Sequence, residues 1–126
     1  MYDYMAELVK VVDGDTIDCD IDLGFGVWLK NQRVQLYGIN APETRTKDLL
    51  EKEAGLLAKA RLTALLPDRF LLTSVKDKKG KFGRILGIIN IPQAKMLDRN
   101  GKKIKRIFID VNRLLVKEGH AKEAKY

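Results

Sequence analysis

The sequence predicts a mainly β protein with some helix, built as a small five-stranded barrel with one mid-chain helix and a short C-terminal helix. Three observations predict this class. Short apolar runs with a period of two recur along the chain, turn signals separate them, and only one long segment has helical periodicity. Because 126 residues is the usual length of one domain, we expect a single domain over residues 1–126.

The first part of the chain alternates between apolar, strand-like segments and turn residues. Residues 16–23 alternate with period two, as a half-buried strand does. Pro42 ends the last of these strands because proline lacks the donor that a sheet ladder needs. The predicted strands span residues 5–12, 16–23, 27–29 and 33–39, with turns at Asp13-Gly14, at Gly24 and Gly26, and at Asn31-Gln32.

The longest helix is predicted to begin after Asp48 and to stop at Pro67. Asp48-Leu49-Leu50-Glu51 fits a capping box, in which Asp48 caps the helix and Glu51 reaches back to it. One face of this helix is expected to be buried, from its spacing of apolar residues. That face holds Leu50, Ala54, Leu57, Arg61 and Leu65, with Leu49, Ala58 and Ala64 beside it.

The second part of the chain returns to strands and closes with a short helix. Strands are predicted over 69–75, 84–91 and 107–109, with a basic turn over 76–81 and a long basic hairpin over 93–106. Asp110 is expected to cap the short helix, which Gly119 closes. A helix between the third and fourth main strands is the order of the oligonucleotide- and oligosaccharide-binding (OB) fold.

The charge of the chain is strongly basic, with a formal net charge of +7 and a pI of about 9.5. Such a balance favours nucleic acid, an anionic membrane or another polyanion as partner, and the alternative is that it only aids solubility. No apolar run approaches the roughly 18 residues that span a bilayer, so we expect no membrane partner. The N-terminus does not resemble a signal peptide, which favours an intracellular setting.

Two single residues need separate interpretation. Cys19 is the only cysteine and lies in an alternating strand pattern, so we expect a small core residue rather than a nucleophile. His120 is the only histidine and follows a helix-ending glycine, so we expect a structural or surface role.

Two acidic clusters set oxygen atoms where predicted strands turn. Asp13 and Asp15 flank a glycine, and Asn40, Ala41 and Glu43 surround a proline. If the fold brings the two turns together, their oxygens suit calcium, with magnesium as the second choice, and Glu43 is left to orient or deprotonate water. An ordinary Asp-Gly hairpin turn is the alternative for the first cluster alone.

Arg84 follows Phe82-Gly83 at the start of a predicted strand. Its planar fork would pair two oxygens of a phosphodiester at once and would stay charged. The alternative is a surface arginine without a functional role.

Taken together, four segments resemble the thermonuclease, or staphylococcal nuclease-like, family. Their order and rough spacing also match, over about residues 5–122. The matching segments are Val12-Asp13-Gly14-Asp15-Thr16, Leu36-Tyr37-Gly38-Ile39-Asn40-Ala41-Pro42-Glu43, Lys81-Phe82-Gly83-Arg84-Ile85-Leu86, and Val111-Asn112 through Leu114-Leu115-Val116 to Gly119-His120-Ala121.

The resemblance implies an OB-fold and calcium-dependent hydrolysis of DNA and RNA. Roles carry over to the matching positions only. Asp15, Asn40 and Ala41 would bind calcium, Asp13 and Thr16 would support these ligands, Glu43 would be the general base, Arg84 would clamp the phosphate, and Lys81 and Phe82 would lie near the nucleotide.

This chain departs from the family pattern at two positions. Gln35 stands where the family has its first catalytic arginine, and Asn40 stands where it has an aspartate. Loss of a charged clamp costs orders of magnitude in rate, and loss of a charged ligand weakens calcium binding. Arg33 points to the same face of an unbulged strand, but its base is displaced by roughly 6.6 Å, so we do not expect it to replace the clamp.

We therefore expect a monomeric, calcium-dependent nuclease that acts on DNA, with RNA as a further candidate substrate, and the changes at Gln35 and Asn40 favour reduced activity. The alternative is a non-catalytic module on the same fold that binds nucleic acid or protein. A third reading, a barrel that only binds single strands, receives little weight because aromatic residues make up 7% of the chain. The basic hairpin is either a solvated loop or an extra arm on the phosphate backbone.

Overall fold

Eight strands and two helices form in the part of the chain that the structure describes. The structure is a computed structural model that describes residues 1–77, 84–97 and 99–125, without the side chains of 94–97 and 103–106. The elements are β1 (Tyr2–Asp13), β2 (Thr16–Asp22), β3 (Trp28–Leu36), β4 (Ile39–Asn40), α1 (Leu49–Leu65), β5 (Arg69–Val75), β6 (Ile85–Leu97), β7 (Lys103–Asp110), α2 (Val111–Lys117) and β8 (Lys122–Glu123).

Five of the strands close into a barrel. Neighbours pair in the order β3-β2-β1-β5-β6, and β6 returns to pair with β3. This closing pair is parallel and joins Val34 to Ile85, Gln35 to Leu86 and Leu36 to Gly87, whereas the other pairs are antiparallel. β7 extends the sheet beyond β6, and β4 pairs with β8. The predicted fold class, a five-stranded OB barrel with two helices, is confirmed.

The barrel interior holds alternate residues of its strands. On β2 and β3, Ile17, Cys19, Val34 and Leu36 are fully buried, as expected for alternate residues of a strand. The prediction that Cys19 lies in the core is confirmed. Burial raises the pKa of its thiol to about 12, because a thiolate is poorly solvated among apolar side chains. Cys19 is therefore a packing residue and not a nucleophile.

The start of α1 agrees with the prediction in one half of its cap and differs in the other. The Asp48 carboxylate accepts hydrogen bonds from the N–H groups of Leu50 and Glu51, at 3.0 and 3.3 Å. The Glu51 side chain does not return to Asp48 as a capping box requires. It accepts a hydrogen bond from the N–H of Glu43 at 3.4 Å, so it holds the loop before the helix instead.

The predicted buried face of α1 is wrong except at Ala58, which is buried, and at Leu65, which is partly buried against the core. The buried residues are Gly55, Ala58 and Leu62, whereas the exposed ones include Leu49 and Leu50, both about 80% exposed. At Gly55 and Ala58 the reason is steric, because the helix lies against the Glu43 loop and the Gly14 turn and only small side chains fit there, whereas Leu62 enters the core. Leu57, which the prediction also placed inside, is exposed.

The strand predictions differ from the structure in three places: the predicted strand over 33–39 is divided between β3 and β4, β6 and β7 extend into the predicted hairpin over 93–106, and one expected turn is absent. The expected turn at Asn31-Gln32 does not form, and β3 runs through both residues. Asn31 adopts a left-handed conformation within the strand, and its N–H donates to the Asp20 carboxylate at 2.7 Å. Asn31 and Gln32 therefore produce a local irregularity in β3 rather than a turn. The strand continues because its pairing with β2 is present on both sides of the irregularity.

The second half of the chain follows the predicted order. Asp110 caps α2 by accepting a hydrogen bond from the Arg113 N–H at 3.1 Å, and Gly119 has the left-handed conformation that closes the helix. The hairpin between β6 and β7 turns at Asn100 and Gly101. Among the described residues, no helix is long and apolar enough to cross a membrane.

Candidate functional site

The two acidic clusters meet at one end of the barrel. The Asp15 carboxylate accepts hydrogen bonds from the backbone N–H of Ala41 and from the Thr16 hydroxyl, both at 3.0 Å. The carbonyl of Asp15 accepts a third from the N–H of Leu36 at 2.8 Å, which ties the same turn to the end of β3. The expectation that the fold joins these turns therefore matches the geometry.

A second contact joins the same two segments. The Thr44 hydroxyl donates a short hydrogen bond of 2.5 Å to the Asp13 carboxylate. Thr44 lies between Glu43 and Arg45, so this bond fixes the backbone of the loop that carries both. Sequence reasoning missed Thr44, because nothing local links it to a residue 31 positions earlier.

Helix α1 supports both turns from behind. A Cβ atom added at Gly14 would lie 2.6 Å from the Cβ of Ala58, and one added at Gly55 would lie 2.6 Å from the carbonyl oxygen of Glu43. Such distances leave no room for a side chain. Gly14 is thus needed for close packing, and Gly55, which the sequence analysis did not single out, lets the helix touch the Glu43 loop.

Gln35 lies beside this junction on the outer face of β3. Its neighbours Val34 and Leu36 are buried in the core, and its register partner on β2 is Thr16. The buried side chain of Asn112 fixes the adjoining strand ends. Its amide donates to the carbonyls of Tyr37 and Gly87 at 2.9 and 3.0 Å and accepts from the Ile89 N–H at 3.2 Å. This role of the Val111-Asn112 motif was not predicted.

A cavity of about 510 Å³ opens where these elements meet. It brings together four of the predicted site residues, and three arginines from different parts of the chain reach it. Glu43 and Asn40 are exposed, and they are not among the residues that line it. The lining consists of Val12, Asp13, Thr16, Arg33, Gln35, Arg45 and Arg84.

Arg84, the residue immediately before β6, lines the cavity. Its Nε donates to the Asp77 carboxylate at 2.7 Å, and the side chains are 20% and 7% exposed. An ion pair so removed from water is stronger than a surface pair. Arg84 is therefore not a freely exposed surface arginine. The predicted nucleotide-binding residues Lys81 and Phe82 lie outside the described residues.

Arg33 enters the same cavity from β3. Its guanidinium forms a bidentate pair with Asp18, with N–O distances of 2.9 and 3.2 Å, and Lys10 approaches the same carboxylate at 3.7 Å. The hydrogen bonds from Arg33 are the main reason that the pKa of Asp18 lies below its usual range, although burial opposes this shift. Sequence reasoning considered Arg33 but did not foresee its carboxylate partner.

Arg45 enters the cavity from the loop after Glu43. It is exposed, and no Asp or Glu of the described residues lies within ion-pair distance of it. The sequence analysis missed this residue. The sequence did contain a signal for it. Arg45 is a basic residue two positions after the predicted general base, in the segment that follows the strand-ending Pro42.

The residues predicted to hold calcium offer hard oxygen atoms of the kind that calcium takes. No group of three or more His, Cys, Asp or Glu residues suited to a metal occurs in the described part of the chain. The donors are the Asp15 carboxylate, the Asn40 amide and the Ala41 carbonyl, which are hard oxygens but carry only one formal charge. Each Asp15 oxygen accepts one hydrogen bond and retains a further lone pair. Calcium therefore stays a prediction.

The closed barrel, with its helix after β4, defines the chain as an OB-fold protein. A family model described as "Staphylococcal nuclease homologue" matches residues 33–126, and the chain therefore belongs to this family, a nuclease-type one. No curated protein matched the chain. The match covers the end of β3 from Arg33, the Glu43 loop and Arg84, while the Asp13–Asp15 turn precedes it and is joined to it by the hydrogen bonds described above.

Proposed function

We propose that this chain hydrolyses phosphodiester bonds of DNA, with RNA as a further candidate substrate, in a calcium-dependent reaction. The single observation that supports this most is the cavity lined by Gln35, Arg84, Asp13 and Thr16, which adjoins the Asp15 turn. A phosphodiester is anionic at every pH of interest, and arginine forks pair its oxygens. The net charge of +7 also favours a polyanionic substrate.

The proposed roles follow from the position of each group. Arg84, oriented by Asp77, would neutralise charge that develops on the phosphate oxygens. Glu43 would accept the proton of the attacking water, because its carboxylate is exposed while its backbone is anchored to α1. Asp15, Asn40 and Ala41 would hold calcium, which when bound supplies positive charge beside the phosphate.

A non-catalytic binding module is the second candidate, and two observations favour it. Gln35 carries no charge where the family has an arginine, and Asn40 is a neutral ligand. Binding would survive both changes, because the remaining guanidinium groups still line the cavity. Catalysis would suffer more than binding, because transition-state charge needs a preorganised donor.

Incubation with single-stranded DNA, double-stranded DNA and RNA tests the proposal. Cleavage should require calcium, stop with chelator, and vanish in a Glu43→Gln variant purified in the same way. That variant controls for contaminating nucleases, because it keeps the charge distribution of the rest of the surface. If the parent chain binds DNA but does not cleave it in calcium or magnesium, the binding module replaces the enzyme as the function.

A further inference from the structure

We propose that Arg45, together with Arg33, supplies the phosphate-binding charge that Gln35 cannot. The inference rests on the proposed function, because it concerns the same cavity and a phosphodiester ligand. Its content is different, since it assigns the clamp to two arginines at other positions, Arg33 on the same strand and Arg45 on the loop after β4. All three residues line one cavity of about 510 Å³, which is the observation from which it starts.

The position of Gln35 is fixed on both sides, so the missing charge is not recovered by a shift of β3. Gln35 pairs with Thr16 on β2 and with Leu86 on β6, and the buried residues Val34 and Leu36 flank it. A slip by one residue would turn these core side chains outward. Any compensating cation must therefore reach the cavity from a different position.

Arg33 belongs to a cluster that keeps a positive charge. Lys10 and Arg33 both approach Asp18, so these three groups together carry a net charge of +1, and the Asp13 carboxylate of the cavity wall also attracts Arg33. The bidentate pair uses two of the five N–H donors of the guanidinium, and it fixes the plane of the group. Arg33 is thus oriented by Asp18 at the wall of the cavity.

Arg45 has a positive charge that is more available to an anionic ligand than that of Arg33. It has no Asp or Glu partner among the described residues, whereas Arg33 and Arg84 each have one. Its neighbour Thr44 is bonded to Asp13, another residue of the cavity wall, so the base of the Arg45 side chain is held beside the cavity. Arg45 can therefore bind an anionic ligand without first breaking an ion pair with a carboxylate of the described residues.

Binding of a fluorescein-labelled oligo-dT octamer in the presence of chelator tests the assignment, measured by fluorescence anisotropy. We expect Arg45→Gln to raise Kd by about tenfold and to reduce the salt dependence by about one phosphate contact. Arg33→Gln should raise Kd less, because Lys10 remains. The matched control is Arg69→Gln, a surface arginine paired with Glu7 outside the cavity, and it should change Kd less than about twofold.

A second arm separates a specific clamp from a general loss of charge. Gln35→Arg in the Arg45→Gln background should restore affinity, whereas Gln32→Arg on the same strand should not. Arg45 is exposed, so its variant should fold, and a thermal melt checks this. Equal Kd values for Arg45→Gln and Arg69→Gln would overturn the assignment, while the proposed function stands if the parent chain still cleaves. A parent chain that neither binds nor cleaves overturns both.

Discussion

The carboxylate of Asp15 accepts a hydrogen bond from the backbone N–H of Ala41 at 3.0 Å, although 26 residues separate them. The same carboxylate orders Thr16, and Asp13 is bonded to Thr44. One short turn therefore organises the loop that carries the candidate metal ligands and the candidate base. The acidic groups at this site therefore have two roles. They would bind a cation, and their hydrogen bonds hold the two backbone segments together.

Changing Asn40 to Asp should tighten calcium binding on the order of tenfold, because it adds a negative charge to a donor set that has only one. Isothermal titration of chelator-stripped protein with calcium measures this. Asn100→Asp, on the turn between β6 and β7, makes the same charge change away from the Asp15 junction and is the control. Equal tightening by both variants would show that net charge alone, and not ligation at Asn40, is responsible.

Changing Gln35 to Arg should raise the calcium-dependent cleavage rate by roughly tenfold. This is less than the roughly 10²–10³ typical of one preorganised hydrogen-bond donor, because Arg33 and Arg45 already line the cavity. Single-turnover rates on a DNA duplex give the comparison. Gln32→Arg lies on the same strand but outside the cavity, and an equal gain there would rule out a specific effect at Gln35.

Changing Gly55 to Ala should destabilise the protein by about 1–3 kcal/mol, although alanine favours a helix over glycine. The added Cβ would meet backbone atoms of Pro42 and Glu43 at 2.6 to 2.8 Å, and these cannot move like a side chain. Urea unfolding measures the change. Ala60→Gly, on the exposed face of α1, should cost about 1 kcal/mol by propensity alone and should leave cleavage intact. A stabilised Gly55→Ala would contradict the tight contact.

Changing Arg33 to Gln should lower stability at neutral pH more than at acid pH. The pKa of Asp18 is lowered in the folded chain, so its contribution is complete above its ordinary pKa and is lost as the pH falls through the lowered one. Arg33 is the main cause, so the variant loses that contribution. Urea midpoints at pH 7 and pH 3 should differ from the parent chiefly at pH 7. Arg69→Gln is the control, and a pH-independent loss would contradict the linkage.

Local signals predicted the elements well. Asp48 and Asp110 were predicted as helix caps from their own side chains and the residues that follow, and both cap helices in the structure. The OB fold was predicted from the position of the helix between the third and fourth main strands of the sequence. These features depend on neighbours in the chain, so a single sequence contains them.

Contacts between distant segments could not be predicted in the same way. The buried face of α1 was largely wrong because contact with the Gly14 turn and the Glu43 loop requires small residues at Gly55 and Ala58. The Arg33–Asp18 pair and the place of Arg45 beside the cavity depend on how β2, β3 and the loop after β4 are brought together. Only the fold supplies that information.

The parallel pairing of β3 with β6 has a consequence for folding. This pairing joins Gln35 to Leu86, two residues that are far apart in the chain. The barrel closes at this pairing only after distant segments have come together, and such non-local closure is slow. Gln35 and Arg84 lie on opposite sides of that seam, and both line the cavity. A chain with an open seam cannot offer the complete cavity, so an anion that binds there acts as a selective ligand of the closed state and stabilises it against unfolding.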